Sequence, residues 1–195
     1  MKTSILVALL VGVGVALAAP PEMTKLPASV RKMDQLKEAM GEAKQQKKAL
    51  LFILSEIKKK EGGPGNKFVL EATQLLITKL RGQCVMVYVD FNTDRPKLAK
   101  ALPKINEAFD SEALKKSPIP RAVATDATAE KFFALVPYSP PGPLGEEMLK
   151  EAKQQIADGL AGKLTATDVS IATTKDRQIA LPPDKQDKQD KKKSK

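Results

Sequence analysis

The spacing of apolar positions alternates between two rhythms along this chain. Met33, Leu36, Met40 and Ala43 recur at helical spacing among lysines and glutamates, which predicts an amphipathic helix over 29–48. Ala49-Leu50-Leu51-Phe52-Ile53-Leu54 then runs without a polar break and is bounded by charge, the pattern of a buried strand. Residues 55–66, with Lys58-Lys59-Lys60 and Gly62-Gly63-Pro64-Gly65, read as a loop. Asn66 is placed to cap a second helix carrying Phe68, Val69, Ala72, Leu75, Leu76 and Leu80, which Gly82 ends. Cys84 to Phe91 (84–91) is the second buried strand, so strand, helix and strand form a βαβ unit with parallel pairing.

The rhythm returns to helical after Asp94, through Leu98, Leu102, Ile105 and Phe109, with Pro103 expected to kink or split the helix. Pro118 and Pro120 lie too close together for a helix and force an extended approach to Arg121-Ala122-Val123-Ala124-Thr125. A short link, Asp126-Ala127-Thr128, leads into Lys131-Phe132-Phe133-Ala134-Leu135-Val136, which predicts an antiparallel hairpin. A Pro/Gly loop over 139–145 precedes a last amphipathic helix over 146–160, with Leu149, Ile156 and Leu160 on its apolar side. From Thr165 the pattern fades, and the Asp/Lys/Gln repeat of 184–193 cannot bury enough apolar surface to offset its ordering entropy.

The N-terminus reads as an export signal. Lys2 is the positive region, 4–15 an apolar run short of a comfortable span, and Ala16-Leu17-Ala18 a small-x-small cleavage site. Cleavage after Ala18 is expected, to a periplasmic or extracellular location; retention as an uncleaved anchor is the competing reading. The expected organisation is a signal over 1–18, a leader over 19–28, one domain over 29–162 and a disordered basic tail over 163–195. Loss of Lys2 takes the formal charge from +10 to +9. That excess reads either as a solvated surface or as attraction to an anionic partner, and the interleaved aspartates dilute the tail's field. With aromatics at 4%, a stacking platform for single-stranded nucleic acid is not expected, and no specific nucleic-acid partner is assigned.

Candidate chemistry is limited by subtraction. The chain has no histidine and one cysteine, which excludes an intramolecular disulfide, a His-based triad and the usual structural zinc sites. Cys84 opens an apolar strand, where a thiol packs as a small hydrophobe; a reactive thiol and an inter-chain disulfide are the other readings. Lys58, Lys59 and Lys60, followed by Asn66 and Lys67 at a helix start, form a candidate anion site, although the stretch lacks P-loop spacing and also reads as a solvated loop. Glu56 and Glu61 are not placed together by anything in the sequence, and nearby lysines keep both ionised. Asp184, Asp187 and Asp190 lack the glycine and distal glutamate of a calcium loop. No metal and no cofactor is implied.

The order helix, strand, loop, helix, strand, helix, Ile119-Pro120, hairpin, helix resembles the thioredoxin superfamily over 33–160. The resemblance implies an α/β three-layer sandwich with a central mixed sheet of about four strands flanked by helices. It also implies a cis Ile119-Pro120 peptide and a polypeptide-binding surface at Ile119, Pro120 and Arg121. Redox members carry Cys-x-x-Cys just after the first core strand; here that stretch is Ser55-Glu56-Ile57-Lys58-Lys59-Lys60-Glu61. Dithiol exchange needs an attacking thiolate and a resolving thiol, and neither is present. The leading expectation is therefore an exported, non-catalytic thioredoxin-like domain that binds protein or peptide. Two alternatives stand beside it: an envelope-associated binder of anionic polymer or membrane, working through the lysine loop and tail, and a one-cysteine thiol protein working through Cys84. The partner's identity and the oligomeric state are not given by the sequence.

Overall fold

A computed structural model describes residues 26–56 and 64–164, with Pro64, Gly65 and Asn66 described as backbone only. The expected signal, the first part of the leader, the triple-lysine loop and the tail from Thr165 lie outside the described residues. The chain runs through β1 (Val30–Lys32), a 3-10 turn (Met33–Gln35), α1 (Leu36–Gln46), β2 (Ala49–Ser55), α2 (Pro64–Leu80) and β3 (Cys84–Asp90). It continues through α3 (Arg95–Ala101), α4 (Pro103–Phe109), α5 (Glu112–Lys115), β4 (Arg121–Thr125), β5 (Phe132–Val136) and α6 (Pro143–Leu160).

The strands form one mixed sheet in the order β1-β3-β2-β4-β5. β1 and β2 each pair with β3 in parallel, and β4 pairs antiparallel with both β2 and β5. Every residue of β2 is buried, and its side chains alternate between two cores. Leu51 and Ile53 pack with Leu76, Leu80, Leu149 and Ile156 from α2 and α6. Leu50, Phe52 and Leu54 pack with Ala43, Leu98, Ile105 and Phe109 from α1, α3 and α4. A strand covered on both faces must be apolar at every position, which is why this run shows no alternation. The expected α/β class with helices on both faces of a mixed sheet is found, and the arrangement is consistent with a thioredoxin-like fold.

Several boundaries differ from expectation. The sheet has five strands, not about four. The added strand, Val30–Lys32, lies inside the stretch expected to be helical, and its identity comes from pairing Val30 with Met86 and Lys32 with Tyr88. α2 begins at Pro64, so Asn66 is its third residue rather than its cap. Proline's fixed φ and missing N–H suit a first turn, where the donor has no intrahelical partner. Leu102 interrupts the third helical stretch directly before Pro103, giving α3 and α4 as two short helices. Leu26 and Leu164, outside the expected domain limits, pack against the α2/α6 core. β4 lies between β2 and β5, so the strand beside Pro120 is interior and the sheet edges are β1 and β5. No helix among the described residues is long and apolar enough to cross a membrane.

Candidate functional site

The register of β2 and β4 fixes where the Ile-Pro segment lies. Leu54 pairs with Arg121, so Pro120 stands at the end of β2 beside Ser55 and the link into α2. The Ile119-Pro120 peptide is cis, as the resemblance implied. Pro120 is buried, while Pro118 and Ile119 are half-exposed. Ser117 anchors the segment: its N–H donates to Leu114 O (2.9 Å) and its hydroxyl oxygen accepts from the Tyr138 N–H (2.7 Å). That second bond ties the segment to the exit of β5. Tyr138 is half-buried, and burial followed by the Glu71 carboxylate on α2 raises its phenol above the usual range. Thus α2, the Pro118–Pro120 segment (118–120) and the β5–α6 loop share one end of the sheet. Among the described residues, neither the N–H nor the C=O of Ile119 makes a backbone hydrogen bond.

Most other polar groups around this end are partnered; among the described residues the buried Arg121 Nε is the exception. Ser55 and Thr73 are fully buried, with their hydroxyl oxygens 3.0 Å apart. Thr73 donates to Val69 O at 2.7 Å, which leaves Ser55 as the donor in their shared bond. Ser55 is therefore structural cement between β2 and α2, not an activated nucleophile. Asp90 Oδ1 accepts from the N–H groups of Asn92 and Thr93 and from the Thr93 hydroxyl. Asn92 Nδ2 donates to Glu56 Oε1 at 2.9 Å. Asp94 stands at the start of α3, yet its carboxylate turns back to the Asp90 N–H and to Lys97 Nζ. These acids close turns, and no cluster among the described residues has the make-up of a metal site.

Arg121 differs from its expected role. Only 7% of it is exposed, and its Nη1 donates to Leu114 O (2.8 Å) and Phe109 O (3.3 Å). Burial, then the neighbouring Arg95 charge, lowers its pKa, with Asp110 opposing. Nη1 is spent on carbonyls at the ends of α4 and α5, Nε is buried without a hydrogen bond among the described residues, and the guanidinium is not presented to a partner. Lys67 is exposed and pairs with Glu71 at 3.9 Å, a weak link at that separation. Lys58, Lys59, Lys60 and Glu61 lie outside the described residues, and the side chain of Asn66 is not described.

Cys84 opens β3 and pairs with Ala49. Asp90 is six positions further along, or roughly 20 Å of strand, so the thiol lies at the far end of the sheet from Pro120. It is buried, and burial pushes its pKa up to about 12, with Lys48 pulling weakly the other way. A group held that far above neutrality is a thiol, not a thiolate. Tyr138 and Ser117 were not singled out in the sequence. The signal that marks them is an aromatic inside Pro137-Tyr138-Ser139-Pro140 and a serine preceding Pro118.

No family model matches the sequence, and no curated protein does. A search of solved structures returns a disulphide isomerase from Xylella fastidiosa Temecula1, 17% identical, with 66% of this chain and 88% of that chain covered and a TM-score of 0.31. Likeness at that level carries no conclusion about the chemistry of this chain.

Proposed function

We propose that the chain is an exported, redox-inactive thioredoxin-like domain that receives extended polypeptide beside Ile119. The observation that carries this reading is that, among the described residues, the Ile119 N–H and C=O make no backbone hydrogen bond in a half-exposed segment at the end of the sheet. Backbone N–H and C=O groups seek partners, and an extended peptide supplies both in alternation. Pro118 and Tyr138 add apolar and aromatic surface on either side. Because β4 is interior, pairing involves the segment before it rather than the strand itself. The missing second thiol, together with a remote and protonated Cys84, argues against dithiol exchange.

Site-specific photocrosslinking tests this reading. A benzoyl-phenylalanine at Tyr138 in the full chain should form adducts with a reduced, S-carboxymethylated polypeptide, and the same group at Glu130 should not. Equal adduct formation at both positions, or none at Tyr138, contradicts it.

A further inference from the structure

The opposite end of the sheet holds a cleft of about 770 Å³, within the size range of small-ligand sites. It lies where α1 turns into β2, where β5 begins and where α6 ends. Lys47 adopts a left-handed conformation (φ 53°) to end α1, and the Lys48 N–H closes the turn onto Ala43 O at 2.9 Å. That turn carries Lys44, Lys47 and Lys48 to one wall, and Lys131 faces them from the entry to β5. Among the described residues none of these four ammoniums makes an ion pair; Lys32, Lys37, Lys100, Lys104, Lys150 and Lys153 make none either, and what sets the four apart is that they line one cleft.

Two carboxylates also border the cleft, but they do not answer the lysines. Asp126 Oδ1 accepts from the N–H groups of Glu130 and Lys131 (2.9 and 3.0 Å), and its Oδ2 accepts from Thr128. Burial pushes that carboxyl up, but the Lys131 N–H, the Thr128 hydroxyl and the Glu130 N–H together hold it below the usual range. Its charge is committed to the hairpin turn. Glu130 is exposed, which leaves an excess of positive charge over the cleft. The floor is carbon: Phe132 is half-buried and Leu160 is 40% exposed, one of few large apolar side chains so uncovered. An apolar floor under a cationic rim matches a ligand with an alkyl body and one anionic head. A polypeptide would bring backbone amides that this floor cannot satisfy.

We propose that this cleft binds a free long-chain carboxylate, its alkyl chain on Phe132 and Leu160 and its head among Lys44, Lys47, Lys48 and Lys131. This site is separate from the Ile119 surface and does not depend on the polypeptide reading. Titration calorimetry on the full chain with dodecanoate, below its micelle concentration, tests it. The expected result is one dodecanoate per chain, with acetate at least a hundredfold weaker and dodecyltrimethylammonium not binding. Combining Lys47→Gly with Lys131→Gln should weaken dodecanoate about tenfold, as two exposed charge contacts of ordinary strength would. Glycine is favoured at a left-handed helix end, so that loss cannot be blamed on unfolding. Leu160→Asn should weaken binding to a similar extent.

The proposal is overturned if dodecanoate does not bind, if the double variant binds it unchanged, or if the cationic analogue binds equally well. Displacement of dodecanoate by a decaglutamate peptide at equal concentration would give the cleft to a polypeptide instead. Cosedimentation with phosphatidylglycerol vesicles, without binding of the free carboxylate, would give it to a membrane surface. A dodecanoate-insensitive dimer dispersed by Leu160→Asn would give it to a second copy.

Discussion

The two ends of the sheet have opposite economies of polar groups. At the end marked by Ser55, Asp90 and Pro120, side-chain hydrogen bonds hold Ser55 to Thr73 and close the Asp90 turn, while the Ile119 backbone makes no backbone hydrogen bond among the described residues. At the end marked by Ala49, Cys84 and Lys131, what stays open is side chain: four lysines that make no ion pair among the described residues, over exposed carbon. The thiol sits at this second end, buried where it stays protonated near neutral pH. Ligands of open α/β sheets gather at the carboxyl ends of parallel strands, and the proposed polypeptide surface lies at that end, with no cysteine there among the described residues. Position in a fold and chemistry of side chains are thus separable, and the fold alone carries no activity.

The largest expected effect would sharpen the first half of this contrast. Arg121→Ala removes a buried guanidinium and strands the carbonyls of Phe109 and Leu114, at a cost of about 3 kcal/mol in chemical denaturation. Arg121→Met, which keeps the packing of the stem, should cost less. A loss of only a few tenths for Arg121→Ala would mean that the side chain faces outward and belongs to the binding surface after all.

Next comes the thiol. Its folded pKa is raised, so the unfolded chain releases the proton first as pH increases. Stability from the protonated thiol is then full below about pH 9 and declines between there and about pH 12. Cys84→Ala lacks this term, so the stability gap between the parent and this variant should narrow as pH rises above about 9. A gap that stays constant would place Cys84 in water. A thiol reagent should likewise label the chain only after denaturation.

The smallest effect concerns the turn that presents the lysine wall. Lys47→Gly should stabilise the chain by about 0.5–1 kcal/mol, because a left-handed residue is strained unless it is glycine. Destabilisation would show that the Lys47 side chain contributes more than its backbone costs.

Much of the fold was legible because its strongest signals are local. The unbroken runs of β2 and β3, the break at Pro103 and the extended approach through Pro118 and Pro120 each follow from the chain's own neighbours. β1 was not legible: Val30, Arg31 and Lys32 carry no strand rhythm, and their conformation is imposed by β3. For the same reason the expectation of about four strands fell short. Placing Pro120 against the end of β2 followed from element order. The inward turn of Arg121 did not, since nothing local tells an arginine at a strand start that two helix ends will offer carbonyls. The lysine cleft was also hidden, because Lys44, Lys47 and Lys48 look like the polar side of a helix until Lys131 is brought across from the hairpin.

Amide-resolved NMR of the full chain, titrated with a reduced, S-carboxymethylated polypeptide, tests the central claim most directly. The account predicts shift changes at Ser117, Ile119, Arg121 and Tyr138, with the amides of Lys47, Lys48 and Lys131 unmoved, and the same result in Cys84→Ala. Shifts confined to the lysine end, or no shifts at Ile119 at saturating polypeptide, would contradict it.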